Sequence, residues 1–314
     1  MAVSQKQIAE RVGVSIALVS RVLSGKAREV GIAAATIEKV MRAAEEMGYV
    51  PSAAALTLKG KGSRTIGVVV YDFRDPFFGP IIEKLQDCAH EQDYSLVIAG
   101  FKGRHPDPSD LAPLHKHAID GLIVLGSSER SEWLNAFSGM PVVRIGHRSG
   151  EEPGTCISVD EEDAARQLLE HLIFRGWTRG FFIGANLYGH FVRFQAFEKV
   201  AAELDFSLKR HIWTMDGFEA GEQSVKSLGD DTAALICAND PVAMGALRAL
   251  YDSGRRMPVT GFDDIPAAAQ FIPPLTTYHQ PISEMVRQAF NAVVKKSEPQ
   301  RKFIKGNLIV RSSS

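Results

Sequence analysis

Six short apolar runs set the rhythm of the chain beyond residue 65: Ile66–Val70, Leu96–Ala99, Gly121–Leu125, Phe181–Ile183, Ala234–Cys237 and Val259–Gly261, with a strand-like Ile157-Ser158-Val159 in the middle. Runs this short that are apolar on both faces read as strands covered on both sides. Each is separated from the next by enough chain for a helix, so the pattern calls for parallel sheets flanked by helices. The runs fall into two sets, which implies two α/β lobes facing each other across a cleft. Lobe one is expected at about 65–158 and 281–300, and lobe two at about 159–280 and 301–314. Sheets of this kind bind ligands at the carboxyl ends of their strands.

The first fifty residues follow a helical period instead. Ser4 and Gln7 stand at capping-box spacing, Ile8, Ala9 and Val12 supply one apolar stripe, and Gly13 is free to stop the helix in a left-handed conformation. Ser15 is a good cap for a second helix, with Leu18, Val19, Val22 and Leu23 turned inward before Ser24-Gly25. A third segment, Thr36–Met47, places Ile37, Val40, Met41 and Ala44 on one face. Two short helices around a glycine turn, backed by a third, make an all-α helix-turn-helix headpiece over residues 1–50. Residues 51–64 read as a hinge. Pro51 and Ser52 open a run of strong helix formers that reaches Lys59, well short of the ~12–15 residues an isolated helix needs. Such a segment is expected to become helical when a partner holds it.

Charge divides in the same place. Residues 1–64 carry ten lysines and arginines against five carboxylates, or +5; the remaining 26 cations and 32 carboxylates give −6. A basic head on an acidic body suits an anionic polymer at one end of the molecule. Other classes recede. Cys88, Cys156 and Cys237 are too far apart for a disulfide framework or a paired metal motif. No apolar run approaches a membrane span, and Met1–Gln7 lack the apolar core of a secretory signal, so a cytoplasmic location is expected. No nucleophile elbow, phosphate-binding glycine loop or zinc-protease motif is present, and His115-Lys116-His117 reads as a surface pair. No catalytic residue, metal or cofactor is therefore expected.

The headpiece motifs Ile8-Ala9-Glu10-Arg11-Val12-Gly13-Val14-Ser15, Val19-Ser20-Arg21-Val22-Leu23-Ser24-Gly25 and Gly48-Tyr49-Val50-Pro51-Ser52-Ala53-Ala54-Ala55 resemble the start of the lactose-repressor family. The body resembles the bilobed, periplasmic-binding-protein-like domain those repressors carry, through Asp75-Pro76-Phe77-Phe78, Asn239-Asp240-Pro241-Val242-Ala243-Met244-Gly245-Ala246, Gly261-Phe262-Asp263-Asp264 and Pro274-Leu275-Thr276-Thr277. The resemblance implies a sequence-specific DNA-binding regulator, expected to act as a repressor. It would bind a pseudo-palindromic double-stranded operator as a homodimer, under control of a small-molecule effector.

Carried over position by position, the resemblance assigns Ile16, Ala17 and Arg21 to base reading and Ser4, Ser15, Ser20 and Tyr49 to phosphate contacts. Leu58 would be a minor-groove wedge with Lys59 beside it. Arginine suits guanine, whereas Ile16 and Ala17 depart from the polar readers common at these places. The stretch Lys26–Ile32 also departs, being longer than usual. In the body, Asp75, Arg193, Asn239 and Asp263 are expected to hydrogen-bond the effector, Phe77, Phe78 and Phe218 to wall it, and His147 to reach the cleft. A sugar or sugar derivative, a sugar phosphate included, is the leading ligand class. Leu187 and Gly189 stand where some relatives carry polar purine-binding groups, which lowers the case for a purine. A solute receptor would account for the body but not the headpiece.

Overall fold

A computed structural model describes residues 3–49, 62–104, 106–150, 154–229 and 231–314. The hinge residues Leu58 and Lys59 lie outside them. The chain divides into two compact units, Met1–Ser63 and Arg64–Ser314.

The first unit is three helices, α1 (Gln5–Val12), α2 (Ile16–Leu23) and α3 (Ala34–Glu46). Ser4 and Gln7 close the capping box that their spacing foretells, and Gly13 takes φ 75° at the end of α1. The Ser15 hydroxyl accepts from the Leu18 amide at 3.2 Å to start α2. Ile8, Val19 and Val40, one from each helix, are fully buried at the centre. Two expectations shift. Met41 is half exposed, because the buried stripe of α3 runs through Val40, Ala43 and Ala44 and turns Met41 to its flank. The long loop before α3 is also part of the core: Ala27 is buried, Ile32 packs beside it, and the Ile32 amide donates to the Ala27 carbonyl at 3.0 Å.

The second unit carries two six-stranded sheets. Lobe one contains β1 (Thr65–Val70), β2 (Ser95–Gly100), β3 (Gly121–Leu125), β4 (Val142–Ile145), β5 (Thr155–Val159) and β11 (Arg301–Ile304), all parallel, in the order β11-β5-β4-β3-β1-β2. Lobe two contains β6 (Arg179–Ala185), β7 (Ser207–Trp213), β8 (Ala234–Cys237), β9 (Val259–Asp263), β10 (Thr276–His279) and β12 (Asn307–Ile309), in the order β12-β10-β9-β8-β6-β7, with only β12 antiparallel. The helices α4 (Phe78–Glu91), α5 (Pro108–Lys116) and α11 (Ile282–Val294) belong to lobe one. The helices α6 (Glu161–Phe174), α7 (Tyr188–Glu203), α8 (Phe218–Ser227), α9 (Asp240–Asp252) and α10 (Pro266–Gln270) belong to lobe two. Apolar side chains fill both faces of each sheet, as strands buried on two sides require.

One boundary moves. Residues 301–304, expected in lobe two, form β11 and pair with β5 in lobe one, Ile304 lying beside Val159. The chain therefore passes between lobes after Val159, after His279 and after Ile304. The three passages lie side by side: the Asp160 amide donates to the Ile304 carbonyl at 3.0 Å, and His279 pairs with Asn307. Gly306 is required in the third passage, since a Cβ there would sit 2.0 Å from the His279 carbonyl oxygen.

Candidate functional site

The exposed face of α2 is fixed by what its other face must bury. With Val19 and Val22 in the core, Ile16, Ala17 and Arg21 are turned outward and Ser20 stands at the margin. Ser4 and Ser15 serve as helix caps, and the Tyr49 hydroxyl accepts from Gln5 Nε2 at 3.0 Å, tying the end of the headpiece to α1. Arg11 adds an exposed ion pair to Glu46 at 3.1 Å. The outward face of α2 thus carries the apolar Ile16 and Ala17 beside the guanidinium of Arg21.

The second site is a cavity of about 340 Å³ at the carboxyl ends of the strands in both lobes. Lobe one contributes Tyr71 and Asp75 after β1, Phe78 at the start of α4, Gly126–Arg130 after β3 and His147 after β4. Lobe two contributes Glu161 at the start of α6, Asn186–His190 after β6, Arg193 from α7, Asn239 after β8, Asp263 at the end of β9, and Gln280 after β10. Phe77, Phe101 and Trp133 add aromatic wall, with Phe101 edge-on to Trp133 at 5.5 Å. Among the sequence candidates, Asp75, Phe77, Phe78, His147, Arg193, Asn239 and Asp263 are brought together. Phe218 is not: the backbone at the start of α8 lies so close to α9 that a Cβ on Gly245 would sit 1.9 Å from the Phe218 carbonyl oxygen. Its ring is 40% exposed and does not line the cavity.

The polar groups are bound to one another before any ligand arrives. Arg193 is buried, donating from Nε to Glu161 Oε2 at 2.8 Å and from Nη2 to Glu161 Oε1 at 3.0 Å, a fork-on-fork pair. Its Nη1 donates to the Ala238 carbonyl, and its guanidinium carbon lies 3.4 Å from the centre of the Phe262 ring. His147 reaches Glu161 Oε1 through Nε2 at 2.9 Å, from the opposite lobe. Burial would raise the Glu161 carboxyl, but the charge of Arg193 and the bond to His147 outweigh it and hold the group at about 2. Glu161 is thus a carboxylate, and His147 donates to it.

The remaining acids are tuned the other way. Burial pushes Asp75 up to about 6 against a 2.9 Å bond from the Phe77 amide, and nearby Asp216 adds to the rise. Asp263 is raised well above the carboxylate range by burial, opposed by the charge of Arg193, and accepts from Gln280 Nε2 at 2.6 Å. Asp263 also holds φ 109°, a conformation that a non-glycine residue adopts only when its surroundings impose it. His190 is pushed down to about 4 by burial, and its Nδ1 accepts from the Ala185 amide at 2.9 Å, leaving Nε2–H as a donor. Asn239 caps α9, its Oδ1 accepting from the Val242 amide at 3.0 Å, while its Nδ2 donates to Asp216 Oδ1 at 3.5 Å.

Sequence reasoning missed Glu161, His190 and Gln280. Glu161 lies in Asp160-Glu161-Glu162-Asp163, where Asp160 caps α6 and the acids that follow read as ordinary first-turn residues. Among the described residues no group of three or more candidate metal ligands occurs, and no helix is long and apolar enough to cross a membrane.

Comparison with known proteins agrees with both units. The family of bacterial regulatory proteins described as lacI family matches residues 5–52, and the periplasmic binding protein-like domain matches residues 169–314. The HTH-type transcriptional repressor PurR of Vibrio vulnificus (strain CMCP6) is 32% identical over 311 residues, covering 93% of this chain and 91% of the relative. The lac repressor dimer bound to operator and the anti-inducer ONPF superposes with a TM-score of 0.85 at 24% identity, covering 100% of this chain and 99% of that one. The transcriptional regulator CelR–cellobiose complex gives 0.68 at 25% identity, covering 99% and 100%.

Proposed function

The chain belongs to the lacI family of bacterial regulatory proteins and is a DNA-binding transcriptional regulator; from that premise we propose that it is a repressor whose operator affinity is set by a polyhydroxylated small molecule held in the cleft between its lobes. One observation carries this reading. The inner cleft sets the carboxyl groups of Asp75 and Asp263 and the Nε2–H of His190 beside an aromatic wall, a mixture of donors and acceptors. Sugar hydroxyls both donate and accept, and so match a mixed set of polar groups, while a sugar's apolar face lies on an aromatic ring; the volume suits a small ligand. The CelR–cellobiose neighbour is consistent with a carbohydrate.

The name of the Vibrio relative makes a purine the rival class. A purine presents ring nitrogens and carbonyls that need donors, and Leu187 and Gly189 at the cleft supply no polar side chains for it. Isothermal titration with ribose, cellobiose, hypoxanthine and guanine separates the two. Saturable binding of a nucleobase with none of either sugar would overturn the carbohydrate assignment.

On the DNA side, Arg21 reads a base edge beside Ile16 and Ala17, while Ser4, Ser15, Ser20 and Tyr49 set register on phosphates. A homodimer in the cytoplasm would place two headpieces on a pseudo-palindrome, with Leu58 and Lys59 entering the minor groove between them. Effector binding favours one angle between the lobes, and operator affinity changes by the coupling free energy. Leu58→Ala is expected to lower operator affinity far more than thermal stability; the reverse ranking in paired binding and melting measurements would remove the wedge.

A further inference from the structure

Arg193 is the cation that sequence and family resemblance both assign to ligand binding, yet three of its five N–H donors are already committed within the protein. Two are taken by Glu161 and one by the Ala238 carbonyl. We propose that Glu161 is the charge filter of this cleft: by forking onto Nε and Nη2 of Arg193 it neutralises the guanidinium, so that the site refuses carboxylate and phosphate ligands and accepts neutral or cationic ones. The inference rests on the cleft being the effector site and concerns the class of effector it takes.

Of the other cations that line the cavity, Arg130 is exposed on the loop after β3, and two are already paired. Arg144 donates to the Gly126 carbonyl at 2.7 Å and to Ser131 Oγ at 3.2 Å, so it is committed to the wall. Arg104, toward the rim, is paired with Asp107 at 3.2 Å and Asp110 at 2.7 Å. An incoming anion would meet Glu161 as a like charge, and Asp75 too once that group has lost its proton. To reach Arg193 it would have to break a bidentate pair that His147 grips from the other lobe. Moving Glu161 aside leaves a buried carboxylate without a partner, a heavily unfavourable state. Removing its charge reverses the logic, because an unpaired buried guanidinium beside a solvent-filled cavity is itself an anion site.

The test uses the full chain and inorganic phosphate at constant ionic strength, comparing wild type, Glu161→Gln and the double variant Glu161→Gln/Arg193→Gln by calorimetry and thermal melting. The wild type and the double variant report phosphate held by the basic headpiece. Glu161→Gln should gain a further saturable site, on the order of 100-fold tighter than any cleft binding in the wild type, and lose it in the double variant. If Glu161→Gln is too unstable to isolate at low phosphate, phosphate should restore its melting temperature. A folded Glu161→Gln with no gain, an unstable one that phosphate does not rescue, or a gain that survives loss of Arg193 each overturns the filter. The outcomes separate from those of the effector assignment: sugars that bind while phosphate gains nothing remove the filter alone, and a phosphate gain without any sugar binding removes the carbohydrate alone.

Discussion

The headpiece and the cleft each hold one of the arginines proposed above to meet a ligand, and they hold it in opposite ways. Arg21 stands exposed on α2, positioned only by the burial of Val19 and Val22 behind it. Arg193 is buried, forked onto Glu161 and stacked on Phe262. A DNA surface built like the first acquires its geometry from the duplex, whose phosphates supply the counter-charge. A pocket built like the second has its geometry before the ligand arrives, and its charges are balanced internally.

The contrast can be broken most forcefully at Arg193. Arg193→Ala leaves Glu161 buried and uncompensated, and the body is expected to lose roughly 3–5 kcal/mol in chemical denaturation together with its effector response. A loss below about 1 kcal/mol would show that the pair is not integrated into the fold as described. The pH dependence of stability comes next. Asp75, raised to about 6, binds its proton more tightly folded than unfolded, so its contribution is present near pH 4 and is lost as pH rises through 6. Asp240, pushed up to about 7 by burial, acts in the same sense over a slightly higher range. Glu161, held at about 2, has the opposite sign: its contribution is present above the ordinary carboxylate range and is lost as pH falls toward 2. Melting of the ligand-free protein should therefore weaken from pH 5 to pH 8, with Asp75 accounting for about 1.4 kcal/mol over that window. A flat profile would contradict the burial of these acids.

Arg21→Ala sharpens the other half of the comparison. It is expected to cost operator binding about 1–3 kcal/mol and relax base preference at one position, while the melting temperature stays nearly unchanged. Undiminished discrimination among operator variants in a binding assay would remove it as a reader. The smallest effect is expected at Phe218→Ala, within about 0.5 kcal/mol in stability. An altered effector titration would return that ring to the cleft.

Legibility in the sequence follows the range of the interactions. The caps Ser4 and Ser15, the Gly13 stop and the buried strands are local signals, and the structure reproduces them closely. Met41 was misplaced because, at the margin of an apolar stripe, alanines at positions 43 and 44 decide which way a helix rolls. The lobe assignment of Arg301–Ile304 depends on pairing with a strand some 145 residues earlier, read from the register of Arg301 on Cys156, which no local pattern records. Glu161 was invisible for the same reason. Its neighbours supply a complete local explanation, as first-turn acids, while the partners that give it a role are His147 and Arg193.

The three adjoining passages between the lobes have a mechanical meaning. Segments lying edge to edge across a gap form a leaf spring, compliant to folding across its width and stiff to twisting or sliding, since either of those would break the pairing of Val159 with Ile304 and of His279 with Asn307. Gly306, with no room for a side chain against His279, keeps the leaf thin. In the effector-controlled regulator proposed above, a molecule in the cleft would act chiefly on that one angle, so that chemically different ligands could be read out as the same motion.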